Sequence, residues 1–196
     1  MILILVILVS VPFFYKNHKK TGGESVEEEP IRPMEVTEEN AKDIVLEAVE
    51  SNKDVDISTI MKAISLVDFD QLAKTHGEEV VLKTFNWLET QDIEGEENIL
   101  VLINLVDEFV GQEYFAYIRS ITNSYINHKM DFIKALAKVP EKLESTVYAL
   151  NSMRVYSVEG QDMWRDLDKI SKSEELSEDE KKIGIELITL YSACGT

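Results

Sequence analysis

The chain has 196 residues, 44% hydrophobic and 29% charged, and a formal net charge of -17 from 37 acidic and 20 basic side chains. That length suits one folded domain with a sizeable core. The negative field repels phosphate backbones, which excludes nucleic acid as a partner and leaves either a basic protein partner or simple solubility. The single cysteine, Cys194, has no partner for an internal disulfide, and it stands third from the C-terminus, where no prenylation box can form.

Residues 1 to 15 read MILILVILVSVPFFY. As a helix this segment is about 22 Å long, shorter than the roughly 30 Å hydrocarbon core of a bilayer. No Lys or Arg precedes the apolar run and Ser10 is the only small residue near its end, which argues against a cleaved signal peptide. A buried core helix would suit the length but would leave a very apolar stretch beside an unpacked linker. Tyr15 offers an interfacial aromatic, and Lys16, His18, Lys19 and Lys20 a basic flank that can snorkel to headgroups. The segment therefore reads as a single-pass anchor in the cell membrane. The positive-inside rule places the body in the cytoplasm, with an extracellular body as the alternative.

Residues 16 to 36 read as the basic flank followed by an acidic Pro/Gly linker, with Gly22-Gly23, the run Glu27-Glu28-Glu29, Pro30 and Pro33. Residues 37 to 196 carry helical periodicity. Thr37 can cap a helix opened by Glu38 and Glu39, with Ile44, Val45, Ala48 and Val49 on its apolar face. Asp56 or Ser58 can cap the next, which shows Ile60, Met61, Ile64 and Val67. A short helical turn over residues 70 to 75 ends at Gly77. Glu78 and Glu79 open a helix with Val81, Leu82, Phe85 and Leu88, and the chain turns again around Ile93 and Gly95.

Residues 99 to 110, ILVLINLVDEFV, are apolar almost all round and predict a buried helix at the centre of the domain. Gly111 kinks or ends it. Tyr114, Phe115, Ile118, Ile121 and Tyr125 mark a helix over residues 112 to 127. Phe132, Ile133, Leu136 and Val139 follow, then Pro140 at a helix start and Leu143, Val147 and Leu150 beyond it. After an irregular stretch over residues 154 to 160 come Met163, Trp164, Leu167 and Ile170. Ser177 and Glu180 form a capping box for a last helix bearing Ile183, Leu187, Ile188, Leu190 and Tyr191. Hairpin turns and long strict alternation are both missing, so the expected class is all-α, with eight or nine helices of 10 to 18 residues.

The stretch DFIKALAKVPEKLESTVYAL, residues 131 to 150, resembles a HEAT-type helical repeat unit. One helix carries Ile133 and Leu136, Pro140 marks the turn, and a second helix carries Leu143, Val147 and Leu150. The resemblance covers only this stretch, and the Asp and Arg that often mark the family are absent. It implies a short stack of antiparallel helix pairs serving as a protein-binding scaffold. The alternative architecture is an irregular helical bundle.

Chemistry-bearing motifs are sparse. His18, His76 and His128 lie far apart and none is spaced for a shared metal, so no metal or cofactor is expected. Neither a phosphate-binding glycine loop nor a nucleophile elbow occurs among the eight glycines. Asp68-x-Asp70 and Asp54-x-Asp56 lack the rest of a calcium loop and read as helix N-terminal acids. Asp162 and Asp166, spaced i,i+4 on one helix face, can serve acid–base work or bind a cation, although Arg165 and Lys169 nearby favour a solvated charged face. Most aromatics fall at core spacing. Tyr117 and Tyr156 fall off the main stripes and are candidate partner anchors together with Asp162 and Asp166.

The expectation is a membrane-tethered acidic helical interaction module without enzymatic activity. An immunity or exclusion factor that masks a basic toxin or an entering complex is one specific form. The alternatives are an enzyme with a carboxylate-based site outside known motifs and an envelope structural or assembly protein.

Overall fold

The computed structural model describes residues 35–51 and 56–194. The expected anchor, the basic flank and most of the linker lie outside the described residues. Among those described, ten α-helices form and no strand does, so the domain is all-α. They are α1 (Glu38–Ser51), α2 (Ile57–Ile64), α3 (Phe69–His76), α4 (Glu78–Leu88), α5 (Glu96–Asn104), α6 (Gly111–Asn127), α7 (Lys129–Lys138), α8 (Leu143–Ser152), α9 (Met163–Lys172) and α10 (Glu178–Cys194). Two of them are shorter than the expected 10 to 18 residues, α2 at 8 and α5 at 9, whereas the short turn expected over residues 70 to 75 extends to the 8 residues of α3. No helix among the described residues is long and apolar enough to cross a membrane.

The helix starts follow local chemistry. Asp56 caps α2 by accepting from the Thr59 N–H, and Asp68 caps α3 by accepting from the Gln71 N–H, each satisfying an amide with no partner inside its helix. At α10 the Ser177 N–H donates to Glu180 at 2.6 Å while the Glu180 N–H donates to the Ser177 hydroxyl at 3.3 Å, the reciprocal box read from sequence. These bonds hold the Glu180 carboxyl below its ordinary value. The Thr37 N–H donates to the Asn40 side chain at 2.8 Å, the backward half of the same arrangement. Gly77, at φ +90, ends α3 and starts α4, a left-handed turn that a side chain would strain.

The centre of the domain is α6, not the 99–110 segment. It packs against α4, α5, α7 and α8, and Tyr117, Ile118, Ile121 and Tyr125 along it are fully buried. Each such side chain contributes roughly 1.5–3 kcal/mol by leaving water. The predicted 99–110 helix starts earlier and stops at Asn104. Beyond it the amides of Leu105 and Val106 bond three residues back in a tightened turn, Asp107 and Glu108 face solvent, and Val110 is extended. Two adjacent carboxylates have no place in a buried helix, and Gly111 at φ +66 redirects the chain into α6.

The second half closes around α10, which packs against α7, α8 and α9. Gly184 permits this approach, since a Cβ there would lie 3.0 Å from Ile133 Cδ1 and from Ile170 Cγ2. In the stretch that resembles a HEAT unit, Pro140 opens a 3-10 turn, Pro140–Lys142, between α7 and α8. There α7 packs chiefly on α5 and α10, and α8 chiefly on α10 and α6.

Candidate interaction surface

The turn between α5 and α6 brings aromatic side chains to the surface. Phe109 sends its ring inward, 5.3 Å from Phe69, 4.5 Å from Phe85 and 5.3 Å from Tyr117, the first two pairs edge-on, as ring quadrupoles prefer, and the third tilted. With Phe109 pinned, the next residue points out, and Val110 is 82% exposed. The first turns of α6 then present Tyr114 and Phe115, and α8 presents Tyr148 across from them. Phe115 is 57% exposed and Tyr148 65%, with the Tyr114 ring 5.9 Å from Phe115 and 6.4 Å from Tyr148.

Two clefts flank the Val110 tip and share Phe109, Val110 and Gly111. The larger, about 580 Å3, runs between the turn, α6 and α8 and is lined also by Tyr114, Phe115, Glu144 and Tyr148. The smaller, about 250 Å3, opens toward α3 and α4 over Phe69, Ala73 and Val81. Among the described residues no Lys, Arg or His lines either one, whereas Asp70, Glu78, Asp107, Glu108, Glu113 and Glu144 do. Among the described residues only Asp107 of these six has an ion-pair partner, Lys142 at 2.9 Å. The Ser145 hydroxyl and Lys142 hold the Asp107 carboxyl below its ordinary range. Burial, then the neighbouring Tyr148, pushes the Tyr114 hydroxyl up.

The four residues singled out from sequence lie elsewhere. Tyr117 is a correction: it is 0% exposed, and its hydroxyl donates to the Leu102 carbonyl inside the core, so it cannot reach a partner. The stripe on α6 holds at Ile118, Ile121 and Tyr125, but packing against four helices also buries Tyr117 and leaves Phe115 outside. The Asp162–Asp166 pair is a second correction. Asp162 precedes α9 as its cap and accepts from the Arg165 N–H at 2.9 Å, while Asp166 turns inward and is 3% exposed. The two carboxylates therefore serve separate partners and share no site.

Asp166 belongs to an internal cluster with Tyr156. The Lys129 ammonium donates to Asp166 and, at 3.1 Å, to Gln161 Oε1, and it lies 4.8 Å from the centre of the Tyr125 ring and 5.8 Å from that of Tyr156. The hydroxyls of Tyr125 and Tyr156 hydrogen-bond at 2.5 Å, and the Tyr156 N–H donates to the Tyr191 hydroxyl at 3.5 Å. Burial lowers the Lys129 pKa against the opposing pull of Asp166, and burial raises that of Tyr156. This cation is satisfied by hydrogen bonds and rings, which is what a half-buried ammonium requires. Nearby, His128 bonds Asp92 at 2.5 Å, and His76 is exposed at the end of α3. Among the described residues no three His, Cys, Asp or Glu side chains are placed to hold a metal ion.

Sequence reading missed the exposed Val110, Phe115 and Tyr148. The signal available was the acidic pair Asp107-Glu108 inside an apolar run, which marks a break; nothing in the local sequence singled out Phe115 or Tyr148. Comparison with protein-family models, with curated proteins and with solved structures finds no match to this chain.

Proposed function

We propose that this protein is a membrane-tethered interaction module without enzymatic activity, and that it docks a basic protein partner on the surface around Val110. The observation that carries the reading is the exposed set Val110, Phe115 and Tyr148 within a rim of carboxylates of which, among the described residues, only Asp107 has an ion-pair partner. Contiguous exposed aromatics mark binding surfaces on soluble domains, and Tyr is enriched among residues that dominate binding energy. The acidic rim steers a cationic partner and rejects anionic ones. Residues 1 to 15 are the proposed anchor, with the body on the cytoplasmic side; tethering raises the effective concentration of the module for anything else at that membrane. An immunity or exclusion factor masking a basic toxin is one form the module can take.

The test is affinity capture with the full chain from detergent-solubilised membranes, at low and high salt, beside the double variant Phe115→Ala, Tyr148→Ala. A partner bound through this surface is released as salt screens the charges, and the double variant weakens it by about 30-fold or more, the loss of at least one hot-spot residue. A partner retained equally by wild type and double variant at both salt levels would show that the surface is not the binding site.

A further inference from the structure

The geometry points to the smaller cleft as the receptor for one arginine side chain of the partner, an assignment that rests on the interaction-module reading above. The cleft has an apolar floor of Phe69, Ala73, Val81 and Phe109 and a rim of Asp70, Glu78, Glu108 and Glu113. At about 250 Å3 it is below the roughly 300–1,000 Å3 of pockets that take cofactors and drug-sized ligands, and it suits a single side chain. The occupant must combine an apolar stem with a charged head, because one wall is aromatic and aliphatic and the edge is anionic. Lys and Arg have that construction.

Two observations choose between a side chain and an ion, and between the two side chains. The rim carboxylates do not converge closely enough for a metal, since no three of them form a metal-holding group. A spread set of acceptors fits a planar guanidinium with five N–H donors better than a compact ammonium. Phe69 and Phe109 line the apolar floor along which the stem of that side chain lies. Asp70, Glu78 and Glu113 each stand in the first turn of a helix. The chain already contains this recognition in closed form: Lys129 lies over the Tyr125 and Tyr156 rings with Asp166 as its counter-charge.

The experiment titrates the isotope-labelled full chain, in detergent micelles, with N-acetyl-arginine methylamide, with the neutral isostere N-acetyl-citrulline methylamide, and with N-acetyl-lysine methylamide. The arginine probe is expected to shift the amide resonances of Asp70, Ala73, Glu108 and Gly111, and to bind about tenfold tighter than citrulline, the worth of charge-assisted hydrogen bonds. The lysine probe is expected to fall between them. The double variant Glu108→Gln, Glu113→Gln is expected to lose the arginine preference while the Tyr125 and Asp166 resonances stay in place, which shows that the fold is intact. Equal binding of arginine and citrulline, equal binding of arginine and lysine, or shifts spread over surface carboxylates generally, overturns the assignment. In the capture assay the two proposals separate. A partner lost by the Phe115/Tyr148 variant but held normally by the Glu108/Glu113 variant overturns the arginine receptor and leaves the docking surface standing. A partner held by both overturns the docking surface and the receptor with it.

Discussion

Around Lys129 the chain encloses a cation with two tyrosine rings and the buried carboxylate of Asp166; around Val110 it gathers rings and carboxylates of which, among the described residues, only Asp107 meets a cation. The first arrangement is closed. Its hydroxyls bond one another, its charges cancel, and α9 and α10 cover it. The second is open. Its carboxylates face water and its outer rings, Phe115 and Tyr148, contact solvent over more than half their surface. Similar chemistry thus holds the fold together in one place and offers a binding face in the other. The difference lies in whether the chain itself supplies the positive charge.

Substitutions that leave the closed cluster half-made should cost most. Lys129→Met strands Asp166 without its counter-charge in a nearly dry site, and is expected to lower unfolding stability by about 3–5 kcal/mol in urea titrations of the full chain. Adding Asp166→Leu should restore much of that loss, since a hydrophobic pair replaces a balanced ionic one at little cost. If the double variant is no more stable than Lys129→Met alone, the pair is not what ties α9 to the α6–α7 corner.

Crowding the seam beside that cluster comes next. Gly184→Ala places a methyl 3.0 Å from Ile133 and Ile170, which overpacking penalises by about 1–3 kcal/mol, partly offset by about 1 kcal/mol of helix propensity. A thermal melt showing stabilisation would mean that α10 has room to move outward. Tyr117→Phe is milder, about 0.5–1.5 kcal/mol, because the Leu102 carbonyl keeps the Leu105 N–H as a partner when the phenol is removed. The same variant should bind partners as wild type does, in contrast to what its sequence position suggested.

On the open face the stability effects should be smallest. Phe115→Ala and Tyr148→Ala are each expected to change unfolding stability by no more than about 0.5 kcal/mol while weakening capture of the partner. The Asp107–Lys142 pair is half exposed, so its effect is screened, and its sign is fixed by the depressed Asp107 pKa. Its contribution is present above the ordinary carboxylate range and is lost as pH falls through the folded-state value. The stability gap between wild type and Asp107→Asn should therefore close below about pH 4, as read from denaturation curves taken from pH 6 to pH 2. A gap that stays constant over that range would detach Asp107 from the acid sensitivity of this face.

Much of the scaffold was legible from residues alone. The Ser177/Glu180 box caps the helix it was expected to cap, Asp56 rather than Ser58 caps α2, Asp68 stands at a helix N-terminus as read and caps α3, and Gly77 and Gly95 mark turns at positive φ. These features depend on a few neighbouring residues, so local sequence contains their cause. The candidate surface was not legible in the same way. Phe115 and Tyr148 are separated by 33 positions in the chain and meet only because α6 and α8 pack together. Tyr117 looked off-stripe because the stripe assumed one buried face, whereas α6 is enclosed on several. Asp166 looked like a surface acid because its partner, Lys129, lies 37 residues away.

Composition, caps and periodicity by themselves determined an acidic, all-α domain and where most of its helices begin, because those properties follow from hydrophobic spacing and hydrogen bonds within a turn or two. Tertiary packing alone decided which aromatics are core and which are surface, and which carboxylates meet a cation. Burial and charge pairing are properties of what surrounds a side chain, and for Tyr117, Phe115, Tyr148 and Asp166 those surroundings come from distant parts of the chain.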